Sequence, residues 1–178
     1  MTSTRTDITY LQSLIRDVPD VPKPGILYKD ITPLLADRRG FAMAIDWVAQ
    51  AFQGEHIDVV VGVESRGFIF GAAAAYALGA GFVPSRKPKK LPSKVIRVDY
   101  ELEYGTDAME MHHDAISPGQ SVLVVDDVLA TGGTAHAVGQ LLKQLDANLV
   151  GYAFIIELTA LHGAPRLAPH AVRSLLRF

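Results

Sequence analysis

The 178-residue chain has no cysteine. That excludes a disulfide framework and a thiolate zinc site, and it fits a cytoplasmic protein. Charge of neither sign is in excess. There are 17 Lys and Arg against 19 Asp and Glu, a formal net charge of −2, and no block of like charge is long. This argues against a general binder of nucleic acid or of membrane surfaces. The start, MTSTRTDITY, lacks the apolar core of a secretory signal. No internal repeat, low-complexity stretch or interdomain linker is present. Residues 1–178 therefore read as one domain, long enough to bury about two-thirds of its unfolded surface. The uncharged run Gly67 to Pro84 is about long enough to span a bilayer. It is mostly Ala and Gly, and LGAGFVP breaks it near its end, so it reads as a buried helix feeding a strand. Two common phosphate loops are also missing. The nearest match to G-x-x-x-x-G-K-[ST] is GVESRGF, which has Phe68 where lysine is required, and no G-x-G-x-x-G follows a strand.

Periodicity locates what is there. Ile8, Leu11, Leu14 and Ile15 have helical spacing over residues 7–17, with Thr6 or Asp7 as N-cap. VPDVPKPGILYKDITP holds four prolines and a glycine. It reads as a rigid irregular segment with one short strand, ILYKDI. DRRGFAMAIDWVAQAFQG predicts a helix ending at Gly54. IDVVVGV (57–63) is a short β-branched run of the kind buried on both sheet faces. ESRG then turns into the Ala-rich helix, and GFVPSR is a second strand. Residues 87–97, KPKKLPSKVIR, are basic and aperiodic and predict a mobile loop. VDYELEYG and DAMEMHHDAI alternate and predict an antiparallel hairpin through Gly105. SVLVVDD, GTAHAVGQLLKQLDA, NLVGYAFIIEL and AVRSLLRF follow as strand, helix, strand and strand. The order predicts an α/β domain around a mostly parallel sheet, with the first thirty or so residues capping one end.

VLVVDDVLATGGTA (122–135) places residues 126–134 where doubly wound sheets bind ligands, beyond the carboxyl end of a strand. Thr131, Gly132, Gly133 and Thr134 suit a phosphate. Glycine lets backbone N–H groups approach an anion, the following helix offers free N–H groups and its positive dipole end, and the threonine hydroxyls can donate. Asp126 and Asp127 suit something else: hydroxyls, a hard cation held directly or through water, or positive charge developing on an anomeric carbon. One ribose 5-phosphate satisfies both, with its phosphate on 130–134 and its hydroxyls on the aspartates.

This stretch resembles the signature of the type I phosphoribosyltransferases, which bind 5-phosphoribosyl diphosphate (PRPP). PKPGILYKDITPLL, ESRGFIFG, RKPKKLP, YELEYG and IIELTALHG resemble the adenine-specific members of that family, in the same order and over nearly the whole chain. The resemblance implies the type I phosphoribosyltransferase (Rossmann-like) fold. In it, a mostly parallel twisted sheet is flanked by helices, with an N-terminal hood (about 1–34) and an inserted flexible catalytic loop and hairpin start (about 86–106). It also implies Mg²⁺ dependence, a homodimer, and a purine-salvage reaction: adenine and PRPP giving AMP and diphosphate. The 5-phosphate falls to Ala130, Thr131, Gly132, Gly133 and Thr134, and the ribose to Asp126 and Asp127. Diphosphate is a dense polyanion that needs cations and backbone donors. Ser65, Arg66, Arg86, Lys87 and Lys90 fit that need. Here the turn reads Glu64-Ser65-Arg66 where relatives often have Asp-Ser-Arg, and KPKK replaces a common glycine. Leu27, Tyr28, Lys29 and Leu158 match the purine slot, with Tyr28 able to stack and backbone at 27 and 29 able to read the base. Glu101 and Glu103 share one facing on an ideal strand. The resemblance selects Glu103 as the catalytic acid or base, beside Asp127, and Tyr104 for loop closure. No direct protein ligand for Mg²⁺ is firmly predicted; the ion is expected on PRPP, through water to Asp126 or Asp127.

Ala130 stands where 6-oxopurine enzymes of this family carry an aspartate that assists purine N7. Alanine favours adenine over hypoxanthine or guanine and leaves xanthine open. His112 and His113 are adjacent on a predicted strand and point to opposite faces, so they do not suggest a metal site. A regulator that merely senses PRPP would add a DNA-binding module. The residues before the α/β domain are neither basic nor helix-turn-helix-like.

Overall fold

The computed structural model describes residues 7–101 and 105–178. Its centre is a five-stranded parallel sheet in the order β4-β3-β7-β8-β9. The strands are β3 (Val59–Val63), β4 (Gly81–Ser85), β7 (Ser121–Leu129), β8 (Asn148–Glu157) and β9 (Ala171–Arg177). Strand alternation divides their side chains between two cores. Val60, Leu123 and Val125 enter one core with Phe70, Met43 and Leu34. Val59, Val61, Val122 and Val124 enter the other with Val138, Leu141 and Met109. Each fully buried Leu, Val or Phe contributes roughly 1.5–3 kcal/mol.

The first core is covered by α3 (Arg38–Ala51) and α4 (Gly67–Leu78), the second by α5 (Gly133–Gln144). Asp37 caps α3 by accepting from the Gly40 N–H at 2.6 Å. α4 is twelve residues long, about 18 Å at 1.5 Å per residue, well short of a bilayer. No helix among the described residues is long and apolar enough to cross a membrane.

The hairpin predicted from alternation is present as β5 (Val95–Glu101) and β6 (Thr106–His112), in antiparallel register with Tyr100 opposite Asp107. It packs its Val98, Tyr100, Met109 and Met111 into the second core.

The N-terminal region departs from expectation. The predicted helix over 7–17 is confined to α1 (Ile8–Ser13). Residues 16–19 form β1 (Arg16–Pro19), which pairs antiparallel with β2 (Leu27–Asp30), the strand expected within ILYKDI. A short α2 (Thr32–Ala36) follows with proline in its first turn, where the missing N–H costs nothing. The prolines thus bound these elements rather than preventing them. The basic segment differs too. Arg86 exchanges both backbone hydrogen bonds with Glu110, at 2.8 and 2.7 Å, and β5 already begins at Val95. Its first residues are tethered, because a buried glutamate meets them.

The chain order places β3 and β7 side by side with their connections leaving to opposite edges of the sheet. Their carboxyl ends therefore form the switch point where a doubly wound sheet opens a crevice.

Candidate functional site

That crevice is a cavity of about 340 Å³ lined by Glu64, Ser65, Arg66, Lys87, Asp126, Asp127, Val128, Ala130 and Thr134. A smaller recess of about 80 Å³ adjoins it, between Asp126 and the turn Val128–Ala135. A larger cleft of about 670 Å³ lies beside α5 and the start of β8. It contains none of the residues singled out from the sequence, and its size alone gives it no chemistry.

The aspartates sit on β7 itself, which runs two residues beyond the predicted SVLVVDD, rather than in the loop after it. The strand continues because β8 is long enough to pair it as far as Leu129. Asp127 is 5 % exposed. Its Oδ2 lies 2.8 Å from Arg66 Nε, a contact of charge with charge rather than an aligned hydrogen bond. Asp126 keeps an edge open to the cavity, and its Oδ1 accepts from the Asp127 N–H at 2.8 Å. Gly67 lets the start of α4 close over this pair: a Cβ there would lie 2.6 Å from Asp126 Oδ1. Burial, then the neighbouring Asp127 charge, pushes the Asp126 carboxyl well above the usual range. Burial also raises Asp127, against the pull of Arg66. Two carboxylates this close are a site for a cation, for hydroxyls, or for both.

The recess opens onto a helix N-terminus. Gly132, at φ +78°, is the N-cap of α5, and no side chain caps that helix, so its first N–H groups are free for an anion. Sequence reasoning missed what braces this loop. A Cβ at Gly132 would lie 2.7 Å from the Gly163 carbonyl oxygen, and one at Gly163 would lie 2.2 Å from that of Ala130. The two glycines let the turn after β8 lie directly against the phosphate loop. IIELTALHG carried that signal, as a glycine after a strand end, but nothing in it names the partner.

Each main cation of the site is held by a carboxylate. Arg66 pairs with Asp127, and its Nη1 also donates to the Tyr28 hydroxyl, with the guanidinium 5.2 Å from the Tyr28 ring centre. Arg86 reaches both Glu64 oxygens at 3.3 Å, and the Lys87 N–H donates to Glu64 at 2.8 Å. Burial pushes the Glu64 carboxyl up, but that N–H and Arg86 outweigh it and hold it below its usual value. The longer Glu64 arm spans from the β3–α4 turn to the basic segment. The Lys87 ammonium donates to the Tyr100 hydroxyl at 2.8 Å and to Asp107. Lys90 meets Arg86 through its carbonyl, 2.9 Å from Arg86 Nη1, and is itself exposed.

The purine-slot candidates are distributed around this frame. Tyr28 joins the cavity wall through Arg66, and Leu27 is exposed on β2. The Lys29 ammonium turns away to Asp17 at 2.6 Å and lies 4.1 Å from the Phe178 ring centre. This leaves only the backbone of Lys29 for a base. The Leu158 N–H donates to the Leu129 carbonyl at 2.9 Å, which keeps Leu158 beside the end of β7. Glu103 and Tyr104 lie outside the described residues. Among the described residues no cluster of three or more His, Asp or Glu could hold a metal, His112 and His113 included.

A family model described as "Phosphoribosyl transferase domain" matches residues 31–174. The chain belongs to the phosphoribosyltransferase family. Within it, the chain is 56 % identical over 168 residues to the adenine phosphoribosyltransferase of Acidobacterium capsulatum, covering 94 % of this chain and 93 % of that one. The crystal structure of adenine phosphoribosyltransferase from Thermoanaerobacter pseudethanolicus superposes with a TM-score of 0.94 at 46 % identity, over 97 % of this chain and all of that one. The Saccharomyces cerevisiae enzyme, solved with adenine and an imino-altritol bisphosphate, gives 0.89 at 42 % identity, over 94 % and 97 %. The type I phosphoribosyltransferase fold expected from the sequence is the one present.

Proposed function

We propose that this phosphoribosyltransferase transfers the 5-phosphoribosyl group of PRPP to N9 of adenine, giving AMP and diphosphate, in purine salvage. The observation that carries this is the meeting, at one switch point, of an uncapped helix N-terminus and two adjacent carboxylates, one buried and one open to the cavity. The high identity to adenine-specific relatives supports the choice of base, as does Ala130, whose side chain offers a 6-oxopurine nothing.

In this reading the loop Ala130–Thr134 binds the 5-phosphate, and Asp126 and Asp127 accept from the ribose hydroxyls. Ser65, Arg66, Arg86, Lys87 and Lys90 receive the diphosphate. Leu27, Tyr28, Lys29 (by its backbone) and Leu158 form the purine slot. The donor set suits Mg²⁺ arriving on PRPP, an ion that prefers phosphate oxygens, water and one or two carboxylates to an all-protein cage. When bound, Mg²⁺ would neutralise charge on the departing diphosphate, with Asp126 or Asp127 reached through water.

The bond from C1 of the ribose to the diphosphate oxygen breaks ahead of attack, leaving oxocarbenium-like charge on the ring. Asp126 and Asp127 stabilise that charge electrostatically, the cations hold the leaving diphosphate, and adenine N9 attacks the opposite face. Glu103 adjusts the base's proton, and Tyr104 helps close loop 87–103 to exclude water.

A homodimer is part of the proposal. α4 is apolar on every side, and its outward face leaves Tyr76 91 % and Ile69 43 % exposed, near a sheet edge where Phe82 is 37 % exposed. Such a patch on a soluble domain marks an interface.

The test is diphosphate release from PRPP and Mg²⁺ with adenine, hypoxanthine, guanine, xanthine or orotate. Adenine is expected to exceed every other base in kcat/KM by at least about 100-fold. Equal turnover with a 6-oxopurine, or none with any base, overturns the reading.

A further inference from the structure

The hairpin β5–β6 does more than carry the loop at its tip. Tyr100 and Asp107 are direct cross-strand partners, so both side chains leave the same face of the hairpin. Tyr100 is 7 % exposed, yet its hydroxyl meets three polar groups. It accepts from the Lys87 ammonium at 2.8 Å, lies 3.2 Å from Asp107 Oδ2, and lies 3.1 Å from Thr134 Oγ1. The proton assignments follow from the chemistry. Lys87 can only donate and ionised Asp107 can only accept, so Tyr100 gives its proton to Asp107. Thr134 must then donate to Tyr100. The Thr134 hydroxyl is thereby committed, and Thr134 serves an anion through its backbone N–H. The Asp107 carboxylate also accepts from Lys87 and, through Oδ1, from the Ala108 N–H at 2.8 Å.

Lys87 and Thr134 both line the cavity. One belongs to the basic segment, the other to the phosphate loop. A single phenol spans them.

We propose that Tyr100 and Asp107 are positioning residues for PRPP: they tie the Lys87 ammonium to the phosphate-loop residue Thr134, so that the cation is held beside the start of α5 before the substrate arrives. The proposal rests on the reading that Lys87 receives the diphosphate. Without the phenol, Lys87 keeps only the Asp107 contact on its four-carbon stem, and more side-chain freedom is lost on each binding event. Asp107 keeps the Lys87–Tyr100 contact oriented while the site is empty. Neither residue belongs to the purine slot proposed above, so their effect falls on PRPP and leaves adenine alone.

Tyr100→Phe keeps the ring in its core position and removes only the hub. It is expected to raise KM for PRPP about tenfold, the loss of one hydrogen bond to a charged group. KM for adenine should stay within twofold, and the melting temperature near that of the parent. The deciding experiment is a cycle of Tyr100→Phe, Lys87→Met and the double variant. If Tyr100 acts through Lys87, Tyr100→Phe adds less than twofold to the PRPP KM of Lys87→Met. Asp107→Asn, which keeps an acceptor for the phenol, should retain more PRPP affinity than Asp107→Leu. An unchanged PRPP KM in Lys87→Met overturns the diphosphate role of Lys87. A raised KM in Lys87→Met with none in Tyr100→Phe overturns the positioning role alone. Fully additive effects show that Tyr100 acts independently of Lys87, and equal losses of adenine and PRPP affinity show general disruption. Either result also overturns it.

Discussion

Gly163→Ala tests whether the turn after β8 fixes the phosphate loop. Gly163 has φ −70° and ψ −32°, ordinary values for alanine, so the backbone conformation itself costs nothing. The added methyl is what matters. It would lie 2.2 Å from the Ala130 carbonyl oxygen, 2.9 Å from Leu129 Cδ1 and 3.0 Å from the Gly132 nitrogen. The first distance is about an ångström short of ordinary contact. Two of the three neighbours are backbone, so no rotamer change relieves the overlap. The loop Ala130–Gly132 and the turn must separate by about that ångström. Overpacking of this kind costs about 1–3 kcal/mol, or a fall in melting temperature of roughly 2–12 °C at this chain length. Moving the N–H cradle by an ångström is expected to lower kcat/KM for PRPP about 100-fold. Gly119→Ala is the control. Gly119 has φ +83° with open space around its missing side chain, so alanine there costs about 1–2 kcal/mol of backbone energy far from the site. Both variants should melt early, and only Gly163→Ala should lose activity. If Gly163→Ala stays within twofold of Gly119→Ala in kcat/KM, the bracing role is refuted.

Asp126→Asn should cut kcat/KM at least tenfold yet stabilise the ligand-free protein at neutral pH. The native carboxyl is raised by burial and by Asp127. A raised carboxyl contributes stability that is complete below its unfolded value, near 3.9, and is lost as pH rises through the higher folded value. The variant's gain in melting temperature should therefore be larger at pH 8 than at pH 5, and a gain independent of pH would contradict the argument. Glu103→Gln is expected to lower kcat by about 100-fold and to remove one limb of the pH–rate profile; an unchanged profile and rate would discard its acid–base role. Tyr76→Arg should shift the sedimentation coefficient from dimer towards monomer at micromolar concentration, and a variant that still sediments as a dimer would move the interface elsewhere.

The parallel core was legible because each buried strand announces itself within five to seven residues. VVVGV and SVLVVDD need no partner to be recognised. The phosphate loop was legible for the same reason: its glycines, its threonines and the helix they open are contiguous. The N-terminal ribbon was legible by half: ILYKDI marks β2, but β1 is four residues ending in a proline, so its pairing rather than its composition makes it a strand. The hub at Tyr100 was hidden more deeply. Alternation in VDYELEYG marks Tyr100 as inward or outward and says nothing about what it meets. Its partners stand 13 residues before it at Lys87, 7 after it at Asp107 and 34 after it at Thr134. Only the hairpin register and the packing of that hairpin on α5 bring them together.

The same limit hides what the aspartates beside the phosphate loop face. In sequence, Asp126 and Asp127 are neighbours only of the anion cradle. In space, Asp127 faces Arg66, Lys87 in the cavity wall has its own acid in Asp107, and Arg86 behind it has Glu64. A monoanion entering this site would displace one carboxylate to gain one cation, with little net change in charge pairing. PRPP changes the balance. Its diphosphate can take the cations together, its 5-phosphate uses N–H groups that no carboxylate competes for, and its ribose hydroxyls donate to Asp126 and to the Asp127 that Arg66 leaves. The acids therefore work as placeholders that favour a ligand carrying both anions and hydroxyls over one carrying anions alone.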